Sequence, residues 1–473
     1  MHGSQQAATI VEAIEDAIVS GGDERLTLDA DGRNKYHLDP RSSIGTFHRG
    51  SCTCSPLNAF GAGAVAATHD ALASNAVAHS TIADRQRERL LALFVPDAPG
   101  AGVVFAPSGS DLCYLPSMFS SVIEPGRRIV NVVATSEELG SGSLLAHEGR
   151  LFAEQTQVRG GLTIGTPLDT GLDVETVLLP ARDEWGGIVD QGAAIERVVA
   201  ERDPADALIV NLVIGSKSGI ENGVSVIERF AGEEIIWTVD LCQMRARPAL
   251  YERLLGLGCM LLCTGSKFYE APPFCGAMLV PPAWMDRLAG AHSPAPAGYG
   301  DVFARADFPD SLKRIAEPFP VVHNTGLRLR WEAALAEIEA FDAVPRADSA
   351  AAIAAWHATV VDRIDSSETL ELLRDQELTN DSIVSFRIRD AVGGHLDRAA
   401  LAAVHRSLAI DGAPEIAPFR RATIGQPVSY TSGSFLRVAI GSSDVRRAVA
   451  AGYDPAMDLA LMAALERTAQ DLS

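Results

Sequence analysis

Apolar and polar positions fall into blocks along this chain, and the blocks change character twice. Residues Ala7 to Val19 carry apolar side chains at helical spacing and stop at Gly21-Gly22, which predicts an amphipathic helix lying on other parts of the protein. From about Asn58 onward, short runs apolar on both faces recur, each closing on small or polar residues. Gly102 to Ala106 precedes Pro-Ser-Gly-Ser-Asp, Arg128 to Ala134 precedes Thr-Ser-Glu-Glu, and Ala207 to Ile214 precedes Gly-Ser-Lys-Ser-Gly. Ile235 to Val239 runs into Asp240, and Cys259 to Cys263 into Thr-Gly-Ser-Lys. Strands of this kind, separated by helix-length stretches, predict a mainly parallel central sheet covered by helices, an α/β fold. Ligands of such sheets bind beyond the carboxyl ends of the strands, where all five polar clusters would lie.

The second change follows a helical passage from Arg328 to Phe341. An Ala-rich helix is predicted around Ser349 to Ile364, then strands at Ile383 to Ile388 and Phe435 to Ile440, and a closing helix from Pro455. This texture predicts a smaller α+β domain built from the N- and C-terminal segments. The expected division is 1–57 for the N-terminal part of the small domain, 58–342 for the large domain and 343–473 for the rest of the small one. The length of 473 residues suits two such domains.

Charge narrows the partners. A formal net charge of −21 argues against nucleic acid or an anionic membrane surface, since both would repel the chain. No leader-like segment or apolar run of bilayer-spanning length is evident, so a cytoplasmic protein is expected. The seven cysteines, at 52, 54, 113, 242, 259, 263 and 275, lie largely in apolar runs and suit reduced thiols. Cys52 and Cys54 with His48 lack a second ligand pair at zinc-site spacing, so no metal is expected.

Lysine occurs at only four positions, Lys35, Lys217, Lys267 and Lys313. Lys267 follows an apolar strand and leads into Phe-Tyr-Glu-Ala-Pro-Pro-Phe-Cys-Gly, a poor setting for a solvated ammonium. Desolvation lowers an amine's pKa and makes it nucleophilic toward an aldehyde, although a surface lysine or a partner of Glu270 fits the residue taken alone. Asp240 ends an apolar strand, where a carboxylate needs a cation or serves as the cap of a following helix. Gly109, Ser110 and Asp111 sit between a strand and an expected helix and could cradle a phosphate. Thr264 and Ser266 add two hydroxyls that could reach the same group, or could simply be turn residues.

Together these residues resemble the fold-type I enzymes that use pyridoxal 5'-phosphate (PLP), within them the class V aminotransferase and cysteine desulfurase group. The resemblance rests on Val239-Asp240-Leu-Cys-Gln243 followed by Thr264-Gly-Ser-Lys267 and spans about residues 58 to 445. It implies a PLP Schiff base on Lys267, Asp240 on the pyridine nitrogen as support for an electron sink, and Gln243 on the phenolic oxygen. The phosphate cup would be Pro107-Ser-Gly-Ser-Asp111. His323-Asn324-Thr325-Gly326 matches an element that reaches the phosphate of a neighbouring subunit, which implies a homodimer with sites at the interface. Arg437, in Phe435-Leu-Arg-Val-Ala-Ile-Gly441, would clamp the carboxylate of a small amino-acid substrate.

The sequence departs from the group in two places. Thr135 to Gly142 holds no histidine or aromatic where many relatives stack one on the cofactor ring; Glu138, Leu139, His147 and Tyr114 are the candidates. The last cysteine is Cys275, so no late-loop thiol is present for desulfuration, which would need an earlier one such as Cys52 or Cys54. An aminotransferase is therefore expected first, and a PLP-dependent lyase catalysing β- or γ-elimination or replacement second. A non-catalytic binding relative sits badly with Lys267, Asp240, Gln243 and Arg437 all being present, and no phosphate-loop or dinucleotide motif supports a nucleotide-binding protein.

Overall fold

A computed structural model describes residues 12–140, 142–216, 220, 223–373, 381–390, 392–430 and 433–472. Seven strands form one sheet: β2 (Gly102–Ala106), β3 (Ile129–Val133), β4 (Val174–Leu178), β5 (Ala207–Val213), β6 (Ile235–Asp240), β7 (Met260–Thr264) and β8 (Gly276–Val280). Their order is β2-β8-β7-β6-β5-β3-β4, with β8 antiparallel to both neighbours and every other pair parallel. The five strands predicted for this sheet are all present, and their carboxyl ends emerge along one edge. Valine, isoleucine and leucine dominate them because helices cover both faces.

Helices His79–Phe94, Pro248–Gly256 and Thr325–Asp342 pack on one face, through Phe94, Tyr251, Leu254 and Trp331 among others. Helices Leu115–Ile123 and Pro282–Gly290 pack on the other, through Met118, Phe119 and Trp284. A polar ladder crosses the buried sheet: Thr238 donates to Asn211 Oδ1, Asn211 Nδ2 donates to Asn131 Oδ1 at 2.7 Å, and Asn131 Nδ2 donates to the His147 carbonyl at 2.8 Å. Buried amides of this kind favour one register, because a slip would leave each of them without a partner.

The second sheet contains β1 (Thr46–Arg49), β9 (Leu370–Leu372), β10 (Ile383–Ile388), β11 (Arg421–Tyr430) and β12 (Gly433–Ala439), in the order β1-β11-β12-β10-β9. Its first strand comes from the N-terminal segment and runs parallel to β11, with Thr46 opposite Arg421. Helices Arg346–Asp365, Arg398–Ile410 and Ala456–Leu472 complete its core around Trp356, Leu401 and Leu465.

Residues 12–18 are helical, and the start of the predicted N-terminal helix, at 7–11, lies outside the described residues. The end of this helix is pinned to the body by the buried Arg330, whose guanidinium donates to the carbonyls of Ile18, Ser20 and Phe274.

Candidate active site

Five strand ends and one wall of the second sheet enclose a cavity of about 240 Å³. Asp240 ends β6 and Lys267 follows β7, and these strands are neighbours in the sheet, so both side chains reach the cavity from one edge. Asp240 Oδ1 accepts the Cys242 N–H at 2.8 Å, which turns the chain out of the strand and fixes the carboxylate. The buried thiol of Cys242 is held well above its ordinary pKa, first by desolvation and then by Asp240, with the Lys267 ammonium acting against both. The charges of Asp240 and Lys267 thus both act on this one thiol. Lys267 is half-buried between Ser266 and Phe268. The Ser55 hydroxyl donates to its carbonyl at 3.4 Å.

Thr135, Met244, Glu270 and Phe274, all non-glycine, hold positive φ in the loops beyond β3, β6 and β7. Such backbone is costly and is kept where surrounding packing imposes it, commonly around functional sites. Glu270 illustrates how it is imposed: its buried carboxylate accepts the Ser443 N–H at 2.8 Å, which ties the lysine loop to the second sheet's side of the cavity.

The turn after β2 contributes Ser108, Gly109 and Ser110. A Cβ on Gly109 would stand 3.0 Å from both Cys242 Sγ and Thr264 Cγ2, so a side chain there would push the turn away from the β6 and β7 loops. The Ser110 hydroxyl lies 3.2 Å from that of Ser143. The buried Asp111 does not line the cavity; its Oδ2 accepts both the Ser108 N–H (2.8 Å) and the Ser108 hydroxyl (2.6 Å), closing the turn from behind. Burial, then the nearby Asp23, pushes its pKa up to about 7. Arg25, paired with Asp23, donates to the Ser108 hydroxyl at 3.1 Å and so fastens the N-terminal segment to this turn.

The opposite wall comes from the second sheet. Arg437 on β12 is 3% exposed and donates from Nη2 to the Thr53 hydroxyl at 3.3 Å, while Nε and Nη1 have no acceptor among the described residues. A buried guanidinium with unused donors facing a cavity is costly unless an anion joins it. Cys52 and Thr53 line the same wall. A Cβ on Gly425 would meet Cys52 Sγ at 2.6 Å and Arg437 Nε at 2.8 Å, which places thiol and guanidinium side by side. Gln243 donates to the Cys52 carbonyl at 3.1 Å, joining the β6 loop to this wall.

Of the residues singled out from the sequence, Asp240, Lys267, Gly109, Ser110, Gln243, Thr264, Ser266 and Arg437 meet at the cavity. Two expectations, for Thr264 and Asp111, are corrected in detail, and Asn324 and Thr325 stand apart from the cavity of their own chain. The single hydroxyl hydrogen of Thr264 goes to the Cys242 carbonyl at 2.9 Å and is not available to a phosphate in this arrangement. Asn324 and Thr325 do not line the cavity of their own chain. Asn324 caps helix Thr325–Asp342 and spends its amide on the Gly21 carbonyl and on Gln157 Oε1, so its side chain serves the fold. Asp111, as above, shapes the turn and does not touch the space it encloses.

Among the candidates for stacking, only Glu138 lines the cavity. Tyr114 is turned away, donating to the Arg150 carbonyl at 2.6 Å, and His147 is buried, its pKa pushed down to about 3 by desolvation. Both ring nitrogens of His48 are hydrogen-bonded, to Thr423 (2.6 Å) and Ser55 (3.1 Å). The sequence reading missed Lys35, Tyr36, Thr53, Ser143, Ser216 and Arg398 as cavity residues. Lys35 alone had a signal, as one of four lysines; the others carry none at the level of local pattern.

No protein-family model matches the chain, and no curated protein matches its sequence. Solved structures do match. The cystine C-S lyase C-DES, in complex with its product cysteine persulfide, superposes with a TM-score of 0.58 at 10% identity, over 90% of this chain and 98% of that one. The Escherichia coli cysteine desulfurase CsdA gives 0.56 at 11%, over 90% and 97%, and the S. paucimobilis serine palmitoyltransferase, solved with a PLP adduct, 0.53 at 11%, over 90% and 88%. The fold is fold type I. At about a tenth identity the likeness is one of architecture, and what this fold-type I chain does is argued from its site.

Proposed function

We propose that the protein is a PLP-dependent enzyme acting on a small amino acid, and that it works as an aminotransferase. One observation carries the reading: Lys267, Asp240 and a buried Arg437 with two unused N–H donors converge on one cavity at the carboxyl edge of the sheet. The residues suit the cofactor. The Gly109-Ser110 turn, packed closely against Cys242 and Thr264, would offer backbone N–H groups and a hydroxyl to a phosphate, and the Asp240 carboxylate would serve a protonated ring nitrogen. Gln243 keeps one amide hydrogen for the cavity after donating to Cys52. Bound there, PLP supplies an aldehyde for covalent attachment and a ring that takes up the electron pair released at the substrate's α-carbon.

The chain's own residues would then divide the work. Arg437 orients the substrate carboxylate with a planar, two-pronged donor set. The Lys267 amine would act as the base that takes the substrate's α-proton and as the acid that gives it back in transamination. Asp240 keeps the ring nitrogen protonated. Asn324 and Thr325 lie outside their own chain's cavity, so any phosphate contact from that element would be made in a second copy; the working unit is proposed as a homodimer.

The test is direct. PLP-loaded protein should absorb in the near-ultraviolet to violet, and borohydride should fix the cofactor's mass on the peptide bearing Lys267. Lys267→Ala should lose that attachment and turnover by about a thousandfold or more, with the fold intact by circular dichroism. A wild-type protein that takes up no PLP would overturn the reading.

A second reading, elimination or sulfur removal, is favoured by one observation: Cys52 lines the cavity beside Arg437, although no cysteine follows Cys275. Cys54 does not line the cavity, and burial pushes its thiol pKa up. Incubation with amino acids separates the two readings. Release of an oxo acid with the cofactor left in its amine form supports transamination, and leaves Cys52→Ala active. Loss of a side-chain group with the cofactor returned to its attached form supports the second reading, and a requirement for Cys52 in that reaction marks it as sulfur removal.

A further inference from the structure

The cavity's charge opposes that of the whole chain. Against a formal net charge of −21, it gathers five basic side chains, Arg25, Lys35, Lys267, Arg398 and Arg437, and only two acidic ones, Glu138 and Asp240. Three of the cations are accounted for. Arg25 is paired with Asp23, Lys267 is the attachment point, and Arg437 has the α-carboxylate. Lys35 and Arg398 remain.

They reach the cavity from distant parts of the sequence, Lys35 from the N-terminal segment and Arg398 from the first turn of helix Arg398–Ile410. Both are exposed, which puts them at the mouth. Neither makes a hydrogen bond or ion pair among the described residues; the Tyr36 ring centroid lies 5.9 Å from Lys35 Nζ, and Asp23 and Glu24 act on it only through charge. Desolvation and then the charge of Arg25 press the pKa of Lys35 downward, a penalty that an arriving anion would relieve. Unpaired cations collected at the entrance of an otherwise acidic protein raise the local concentration of anions and select among them.

We propose, resting on the amino-acid reading above, that the substrate carries a second carboxylate on its side chain, held at the mouth by Lys35 and Arg398 while Arg437 holds the α-carboxylate within. The substrate class is then an acidic amino acid and not a neutral one.

Calorimetric titration of the PLP-loaded protein tests this, with malonate, succinate, glutarate and adipate each compared with the monocarboxylate of equal chain length. At least one dicarboxylate should bind about tenfold more tightly than its match, an advantage that shrinks with added salt. The Lys35→Met, Arg398→Leu double variant should reduce that advantage to about twofold or less and leave monocarboxylate affinity unchanged. A loaded protein indifferent to the second carboxylate overturns the proposal. So does a double variant that keeps the preference but binds PLP more weakly, since Lys35 and Arg398 would then serve the cofactor phosphate. Loading is read separately by the borohydride-fixed mass, so failure there counts against the parent reading and not against this one.

Discussion

The two walls of the cavity are built in different ways. The seven-stranded sheet supplies its wall by repetition: parallel strands end at one edge, and residues at or just past those ends, Ser108 to Ser110, Asp240 and Lys267, face the same space. The five-stranded sheet supplies its wall by long-range pairing. Cys52 and Thr53 follow β1 from the N-terminal segment, and Arg437 lies on β12, two strands away across β11. The first wall holds the groups suited to the cofactor and the bond-breaking step, and the second holds those suited to choosing a substrate. The first wall is written locally at strand ends, whereas the second is assembled from segments distant in sequence.

That contrast can be broken by kinetics. Asp240→Asn keeps an acceptor for the Cys242 N–H but removes the charge, and should lower kcat about a hundredfold with little change in KM. Arg437→Leu should do the reverse, raising KM about thirtyfold with a small change in kcat, because it removes binding common to the bound substrate and the transition state. A loss in kcat alone for Arg437→Leu would dissolve the distinction between the walls. The scale of these effects depends on the amino acid used, so each is measured with the best substrate from the incubation series.

The smallest effect sharpens the comparison by showing what a residue behind the first wall does. Asp111 is fully buried, with its pKa raised from the usual 3.8 to about 7. The unfolded chain ionises this group near the usual value and the folded chain only near 7, so the folded state binds more protons in between. Its contribution to stability is therefore complete below about pH 4 and is lost as pH rises toward about 7. Asp111→Asn should lose fewer degrees of Tm between about pH 5 and pH 8 than the parent, with kcat/KM changed only slightly. A variant whose Tm follows the parent's across this range would show that the group titrates normally.

Much of the first wall was legible in the sequence because doubly buried strands must be continuously apolar, and a polar residue at such a strand's end stands out. β4 and β8 were missed for opposite reasons. β4 is an edge strand whose residues are half-buried or exposed, so its Val-Glu-Thr-Val-Leu lacks the apolar run. β8 follows a proline- and aromatic-rich loop that hides where the strand begins. Asn324, matched to an element that reaches a neighbouring subunit, caps its own helix, a use that no local motif announces.

By itself, the sequence determined the class of sheet, the edge at which a ligand site forms, and the placing of Asp240 and Lys267 at the ends of two of its strands. Those follow from burial and periodicity, which act over a few residues. Only the tertiary structure decided that Lys35, Cys52, Thr53 and Arg398 join Arg437 around the same space, and that Asp111 and Thr264 turn inward. Such placements depend on which distant strands pair and where each buried donor finds its acceptor, and no local pattern encodes either.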